Sequence, residues 1–311
     1  MNRWIKWFAA LGAALSLAAC GGDGGSSPGT IAQVAQQQGF TALVAAASKA
    51  GLVDTLNAPN ANLTVFAPTN QAFTNLATEL GFASATAMVD ALPAATLKDI
   101  LLYHVLSGVK NSQNLAAGGA TQQTLYSYKN QPATLAISTT SGAQITDAAL
   151  TKANVTQPDV GASNGVIHVI DKVLIPPGVL NVVQMAQVNP LFTSLVNAVV
   201  ATNLQGALSG AGPFTVFAPT NEAFAAAPTG LTTDQLKTVL LYHVLDKKVL
   251  ASQIPFGTPI ATLAGQDITI NQGTPPTITD TTSTPADIIA TDVLASNGVI
   301  HVINKVLIPT L

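Results

Sequence analysis

Four histidines stand at matched places in this 311-residue chain: His104 and His243 within two copies of LLYHVL, His168 and His301 within two copies of NGVIHVI. Imidazole is the side chain best suited to proton transfer near neutral pH and a common ligand of zinc, so these residues are the first to test for chemistry. Zinc wants three or four nitrogen, sulfur or carboxylate ligands. Each copy offers two histidines and no obvious partner acid. The one nearby carboxylate, Asp171, is Asn304 in the other copy, so a His–Asp unit could not operate in both. No metal and no cofactor is expected. His104 falls among Leu101, Leu102, Val105 and Leu106, in a stretch that reads as a helix apolar nearly all round. It is expected to be a buried neutral ring with a hydrogen-bond partner. His168 lies on a strand with Val166 and Ile170 on its own face and Ile167 and Val169 on the other, and it too reads as structural.

One hydrolase pattern is present. Gly161-Ala162-Ser163-Asn164-Gly165 satisfies G-x-S-x-G, but a nucleophile elbow needs a strand before the serine and a helix after it. Here the β-branched run Val166 to Ile170 follows, and the second copy has Leu294 in place of the first glycine. No nucleophile is assigned and no enzyme is expected. The Asn164-Gly165 pair reads instead as a tight turn that tolerates positive φ and launches the strand.

The single cysteine has a different chemistry. Arg3 and Lys6 precede an uncharged stretch, Trp7 to Ala19, too short to span a bilayer that needs about 20 apolar residues. Residues 1–19 read as a signal peptide. LAAC, Leu17 to Cys20, resembles the lipobox of bacterial lipoproteins, which implies lipid attachment at Cys20. A lone cysteine in an exported chain has no internal disulfide to form. Residues 20–30, rich in glycine and serine, read as a flexible tether. The expectation is an exported protein of the cell envelope, on a membrane surface or facing the periplasm, held there through lipid at Cys20.

Composition narrows the classes further. Hydrophobic residues are 48% and charged residues 9%, which favours packed cores over disorder. With 12 basic against 15 acidic residues there is no basic stripe for nucleic acid, and none is expected as a partner.

The elements that must hold these residues are themselves repeated. TVFAPTNQAF at Thr64 returns as TVFAPTNEAF at Thr215, LLYHVL at Leu101 returns at Leu240, and SNGVIHVIDKVLIP at Ser163 returns with one change at Ser296. The separations fall from 151 to 139 to 133 residues. The first copy therefore carries 12 extra residues before LLYHVL and 6 more after it, placed in surface loops and helix ends. Such a period is a pair of whole domains, 31–177 and 178–311, each expected to fold alone, with Pro176-Pro177-Gly178 as a short hinge. Phe40, Leu43, Val44 and Ala47 share a helix face closed by Gly51. Asn189 caps a helix begun by Pro190, and Phe192, Val196 and Val200 follow at spacing four. TVFAP is a buried strand, after which Thr69 or Asn70 caps a helix. LKDILLYHVL is a helix, as is its counterpart, opened by the box Thr232 to Gln235. QTLYSYKNQPATLAIS is a hairpin, and NGVIHVIDKVLIP a turn and a long strand. Helices precede strands, so the class is α+β.

The ordered trio of motifs, present twice over residues 31 to 311, resembles the fasciclin domain. The resemblance implies two β-sandwich-like wedges of about seven strands, each with helices packed along one edge. It also implies a role in adhesion or extracellular-matrix interaction without catalysis, the partner being an unknown protein or polysaccharide at the cell surface. Tyr103, His104, Tyr242 and His243 lie in the region implicated in receptor binding in animal fasciclin proteins and are candidate contact residues; for the tyrosines, core packing is the equal alternative. The rival reading is an envelope glycan- or small-ligand-binding protein. Stacking platforms for sugars are scarce: both tryptophans, Trp4 and Trp7, lie in the signal.

Overall fold

The computed structural model describes residues 28–140 and 142–311; the signal, Cys20 and most of the tether lie outside them. The first unit runs α1 (Ile31–Gln37), α2 (Thr41–Lys49), α3 (Val53–Asn57), β1 (Leu63–Pro68), α4 (Asn70–Glu79), α5 (Ala85–Ala91), α6 (Ala94–Tyr103), β2 (Val105–Ser107) and α7 (Ser112–Ala117), then β3 (Thr121–Tyr128), β4 (Gln131–Ser138), β5 (Gln144–Thr146), β6 (Lys152–Ala162) and β7 (Gly165–Ile170). The second repeats it: α8 (Val182–Gln187), a 3₁₀ turn at Pro190–Phe192, α9 (Thr193–Ala201), α10 (Gln205–Leu208), β8 (Phe214–Pro219), α11 (Asn221–Ala225), α12 (Thr233–Tyr242) and β9 (Val244–Leu245), then β10 (Pro259–Ala261), β11 (Asp267–Asn271), β12 (Thr277–Thr279), β13 (Ala286–Ala295) and β14 (Gly298–Ile303). The class is α+β.

Each unit holds one seven-stranded sheet, ordered β2-β1-β7-β6-β5-β4-β3 in the first and β10-β11-β12-β13-β14-β8-β9 in the second. The β1–β7 and β8–β14 pairs are parallel and the rest antiparallel. The sheet curls: β2 lies against β3 in the first unit, and Leu263 N–H donates to Val244 O at 2.8 Å in the second. Curling makes two apolar layers per unit. One lies between helices and sheet. The other lies inside the curl, around Phe66, Tyr103, Leu135 and Ile145, and around Phe217, Tyr242, Ile268 and Ile278. β1 and β7 separate the two layers, so every residue in them is buried. β3 and β4 face only the inner layer and alternate buried with exposed.

Several local expectations hold. The hairpin turns at Lys129-Asn130 with φ of 50° and 62°, the geometry of a type I′ turn. Gly51 ends α2 with φ +68°. The cap after β1 is Thr69, whose hydroxyl accepts from Ala72 N–H.

Three expectations are corrected. LLYHVL is not helical throughout: α6 stops at Tyr103, His104 closes it with a tight bond from its N–H to Leu101 O, and Val105 enters β2 to pair with Val65. The strand of the fourteen-residue repeat ends at Ile170, because Leu174 and Ile175 N–H bond to the side chains of His104 and Asp147 rather than to a neighbouring strand. Neither Asn164 nor Gly165 has positive φ. The glycine is there for space. A Cβ on Gly165 would strike the carbonyl oxygen of Leu63 and the Ile31 side chain, and one on Gly298 the carbonyl oxygen of Phe214.

The junction is clamped. The longer first-unit hairpin places Tyr126 so that its hydroxyl donates to Pro177 O at 3.0 Å, and Tyr128 so that its ring fills the place of a Cβ on Gly178. Gly178 N–H donates to Leu294 O at 2.8 Å within the second unit, and across the junction Asn189 Nδ2 donates to Ala149 O at 2.8 Å and Lys172 Nζ to Val188 O at 3.1 Å. The helix-side core runs on from one unit to the next through Ala149, Leu180 and Val188.

The one difference within the fourteen-residue repeat has a partner. Asp171 accepts from Asn154 N–H and Nδ2, both at 2.7 Å. In the second unit Asn304 Oδ1 accepts from Asp287 N–H at 2.8 Å, and its Nδ2 donates to Asp287 Oδ2 at 2.7 Å. The acid and the amide have exchanged strands. Asn304→Asp is therefore expected to set two carboxylates side by side and cost about 1 kcal/mol. Adding Asp287→Asn should restore the loss; melting of the single and double variants checks this.

Candidate functional site

Both nitrogens of every histidine are engaged. His104 Nδ1 lies 2.7 Å from Ile100 O, one turn back, while Nε2 accepts from Leu174 N–H at 2.9 Å. His243 repeats this with Val239 O at 2.7 Å and Leu307 N–H at 2.9 Å. The pattern assigns the Nδ1–H tautomer to both, and each ring bolts the end of its helix to the KVLIP segment. His168 Nε2 lies 2.9 Å from Lys110 O and its Nδ1 accepts from Asp159 N–H at 3.3 Å. His301 matches with Val249 O at 2.8 Å and Asp292 N–H at 3.3 Å. These two are assigned the Nε2–H tautomer. Asp159 and Asp292 offer their N–H groups from bulges in β6 and β13, each with φ of 59°.

Several other polar residues common to both copies are used in the same way. Thr64 Oγ1 donates to Gly108 O and accepts from Lys110 N–H; Thr215 does so with Lys247 O and Val249 N–H. Asn70 bridges Gly39 O and Ala42 N–H; Asn221 bridges Pro190 O and Ser194 N–H. Tyr103 and Tyr242 donate to the carbonyls of Thr134 and Asp267. Asn164 Oδ1 accepts from Ile31 N–H at the head of α1, while its Nδ2 donates to Leu56 and Ala58 carbonyls behind α3. Asn297 ties α8 to the end of α10 identically, through Val182 N–H and the carbonyls of Leu208 and Gly210. Among the described residues no buried side-chain nitrogen or oxygen lacks a partner.

The candidate contact residues are inside. Tyr103 is 0% exposed, and His104, Tyr242 and His243 are 1% each. Of the alternatives for the tyrosines, core packing is what the folded chain displays; a contact role would require the unit to open. Ser163 sits in an exposed turn with β7 directly after it, so no strand–turn–helix elbow forms. A serine, an acid and a histidine do meet elsewhere: Ser112 hydroxyl donates to Asp159 Oδ2, and Asp159 Oδ1 lies 3.9 Å from His168 Nδ1. The hydroxyl points to the acid and not to the imidazole, and Ala251 replaces the serine in the second unit, so no nucleophile–base pair results.

Electrostatics separates the twins. Burial holds His104 at about 4, against the pull of Ile100 O, and His243 at about 4, against Val239 O and Asp280. Burial pushes the Asp147 carboxyl up, only partly offset by bonds from Ile175 and Thr151 and by the charge of Lys172, whose ammonium donates to Val188 O and not to the carboxylate. Burial also pushes Asp280 up, but the Thr282 hydroxyl, Ile308 N–H and Lys305 ammonium, the last at 2.9 Å, outweigh it and hold the group below its ordinary value.

A histidine held neutral contributes stability that is complete above its unfolded value near 6.5 and lost as pH falls from there toward 4. The loss comes to about 3 kcal/mol per unit. Asp280, depressed, adds to the loss at still lower pH. Asp147, raised, opposes it, since protonation suits the folded first unit. Acid titration followed by unit-specific probes is thus expected to unfold the second unit before the first.

The fold and site define a tandem scaffold in which the residues common to both copies hold each unit together from within. The fasciclin-domain family model matches residues 38–176 and 190–309, and the chain belongs to that family, with two copies in tandem. Protein sll1483 of Synechocystis sp. is 43% identical over 140 residues, covering 42% of this chain and 74% of that protein. The transforming growth factor-beta-induced protein ig-h3 of Sus scrofa is 31% identical over 257 residues, covering 80% of this chain and 35% of that protein. A solved FAS1 domain pair from the insect cell adhesion molecule fasciclin I is similar over 90% of this chain and 95% of its own, at 19% identity and a TM-score of 0.42. The chain thus spans most of its bacterial relative but 35% of the length of the mammalian one. Among the described residues no helix is long and apolar enough to cross a membrane.

Proposed function

We propose that this chain is a non-catalytic adhesion or matrix-interaction module, anchored to a membrane surface through lipid at Cys20 and binding a protein or polysaccharide of the cell surface. Family membership supports the reading, since fasciclin domains are found in adhesion and extracellular-matrix proteins. The observation that carries it is the internal engagement of the buried recurrent polar side chains, described above. What is duplicated is a scaffold, and two scaffolds clamped at one junction can meet a repetitive partner together, which raises affinity without strong single sites. Lipid attachment would set both units close to the membrane on a short tether.

The test is capture from envelope and extracellular polysaccharide by the soluble chain beginning near Thr30, alongside release of the Cys20→Ser protein from membranes. A retained partner and loss of membrane partitioning are expected. Turnover of an ester or glycoside by the purified chain, abolished by His168→Ala, would replace the reading with an enzyme.

A specific feature favours the alternative of a small-ligand binder. At the edge of the first unit's inner layer an open pocket of about 290 Å³ is walled by Phe66, Leu115, Ile137, Ile145, Val155 and His168, with Gln113 and Pro158 at its mouth. Its size suits a small apolar molecule. Val155→Ile, the residue found at the matching position in the second unit, should shrink the pocket and abolish any such binding.

A further inference from the structure

We propose that Asn164-Gly165 and Asn297-Gly298 are fold-protected deamidation sites that make prolonged unfolding of each domain irreversible. They are the two Asn–Gly pairs of the chain, and both occupy the same place in the repeat. In an Asn–Gly pair the glycine nitrogen attacks the asparagine side-chain carbonyl carbon. A nitrogen–carbon bond closes a five-membered imide, the glycine N–H proton passes through solvent to the departing amide nitrogen, and ammonia leaves. Water then opens the imide at either carbonyl, giving aspartate or isoaspartate. Glycine permits the attack because no Cβ obstructs it.

The architecture imposes both members of this reactive pair. Packing demands the glycines, since a Cβ at either would collide with a strand carbonyl. Bonding demands the asparagines, since only an amide can accept from a helix N–H and donate to two carbonyls at once. Those same bonds block the reaction in the folded state. Asn164 is 1% exposed and Asn297 9%, and each amide is held at both ends, with distances of 2.7 to 2.9 Å. The carbonyl carbon cannot swing onto the following nitrogen until α1 or α8 has left the sheet.

The product cannot return. Aspartate at position 164 would aim a carboxylate oxygen at the carbonyls of Leu56 and Ala58, and at position 297 at those of Leu208 and Gly210, with no donor between them. Isoaspartate would also lengthen the backbone directly before β7 or β14 and shift its pairing with β1 or β8. Once either product has formed in an unfolded chain, that chain is barred from the native fold.

The full chain, held at mildly alkaline pH in buffer and in concentrated urea, is digested and the two peptides are weighed over time. In urea both should gain the deamidation mass and release ammonia; in buffer the reaction should be at least about a hundredfold slower, limited by the population of the opened domain. On removal of urea, chains modified at position 164 should fail to regain the first domain's melting transition, while unmodified chains regain it. Equal rates in buffer and urea would overturn the proposal, as would modified chains that refold with the native transition.

Discussion

Replacing His104 by alanine lowers the stability of the first domain by about 3–5 kcal/mol, since it opens a cavity and strands two buried backbone groups at once. Ile100 O loses its donor and Leu174 N–H its acceptor, and the end of α6 is no longer tied to the KVLIP segment. His243→Ala should do the same to the second domain through Val239 and Leu307. Calorimetry of the full chain should show one transition falling far and the other moving little, with the movement that remains reporting the core shared at the junction. Added zinc should raise neither transition, because both ring nitrogens are already bonded. A loss below about 1 kcal/mol would mean that the bonds are weak or replaced by water.

Gly165→Ala is expected to cost about 3 kcal/mol, at the upper end for overpacking, because its new methyl meets the Leu63 carbonyl as well as the Ile31 side chain, and the backbone cannot swing aside. Gly298→Ala should match it in the second domain. Four residues away, Gly161→Ala is the control. A Cβ there meets nothing within 4 Å and the residue's φ is not positive, so the change should be near neutral. If the two alanines proved equally harmless, close approach of β1 to the start of β7 would not be what demands the glycine.

How far the sequence carried this reading depends on what kind of signal each residue leaves. The pair of domains and the motif order were legible because three motifs recur in the same order, one of them fourteen residues long with a single change; the hairpin was legible because period-two alternation is local. The helix end at His104 was not, because what stops α6 is pairing of Val105 with β1, a contact 40 residues away in sequence. Asn164-Gly165 misled for a related reason. The dipeptide is the usual mark of a left-handed turn, yet here the amide serves α1 and α3 and the glycine serves β1, partners more than a hundred residues earlier. The exchange of acid and amide between Asp171 and Asn304 looked like a broken His–Asp unit until Asn154 and Asp287 were seen opposite them. A usable signal was nevertheless present: the polar residues identical in both copies, Thr64, Asn70, Tyr103, His104, Asn164 and His168 with their counterparts, are the internal ties. Comparing the copies position by position would have found them, though not what each one binds.

The central claim is that these recurrent residues hold the domains together and are not held ready for chemistry, and nitrogen NMR of the histidine rings tests it most directly. Long-range proton–nitrogen correlations at neutral pH should give two tautomers in matched pairs: Nδ1–H for His104 and His243, Nε2–H for His168 and His301. The resonances of His104 and His243 should stay unchanged on acidification well below 6.5, the ordinary histidine value, until the domains unfold. Titration of His104 or His243 near that ordinary value in the folded protein, or a shift of any ring when zinc is added, would contradict the account.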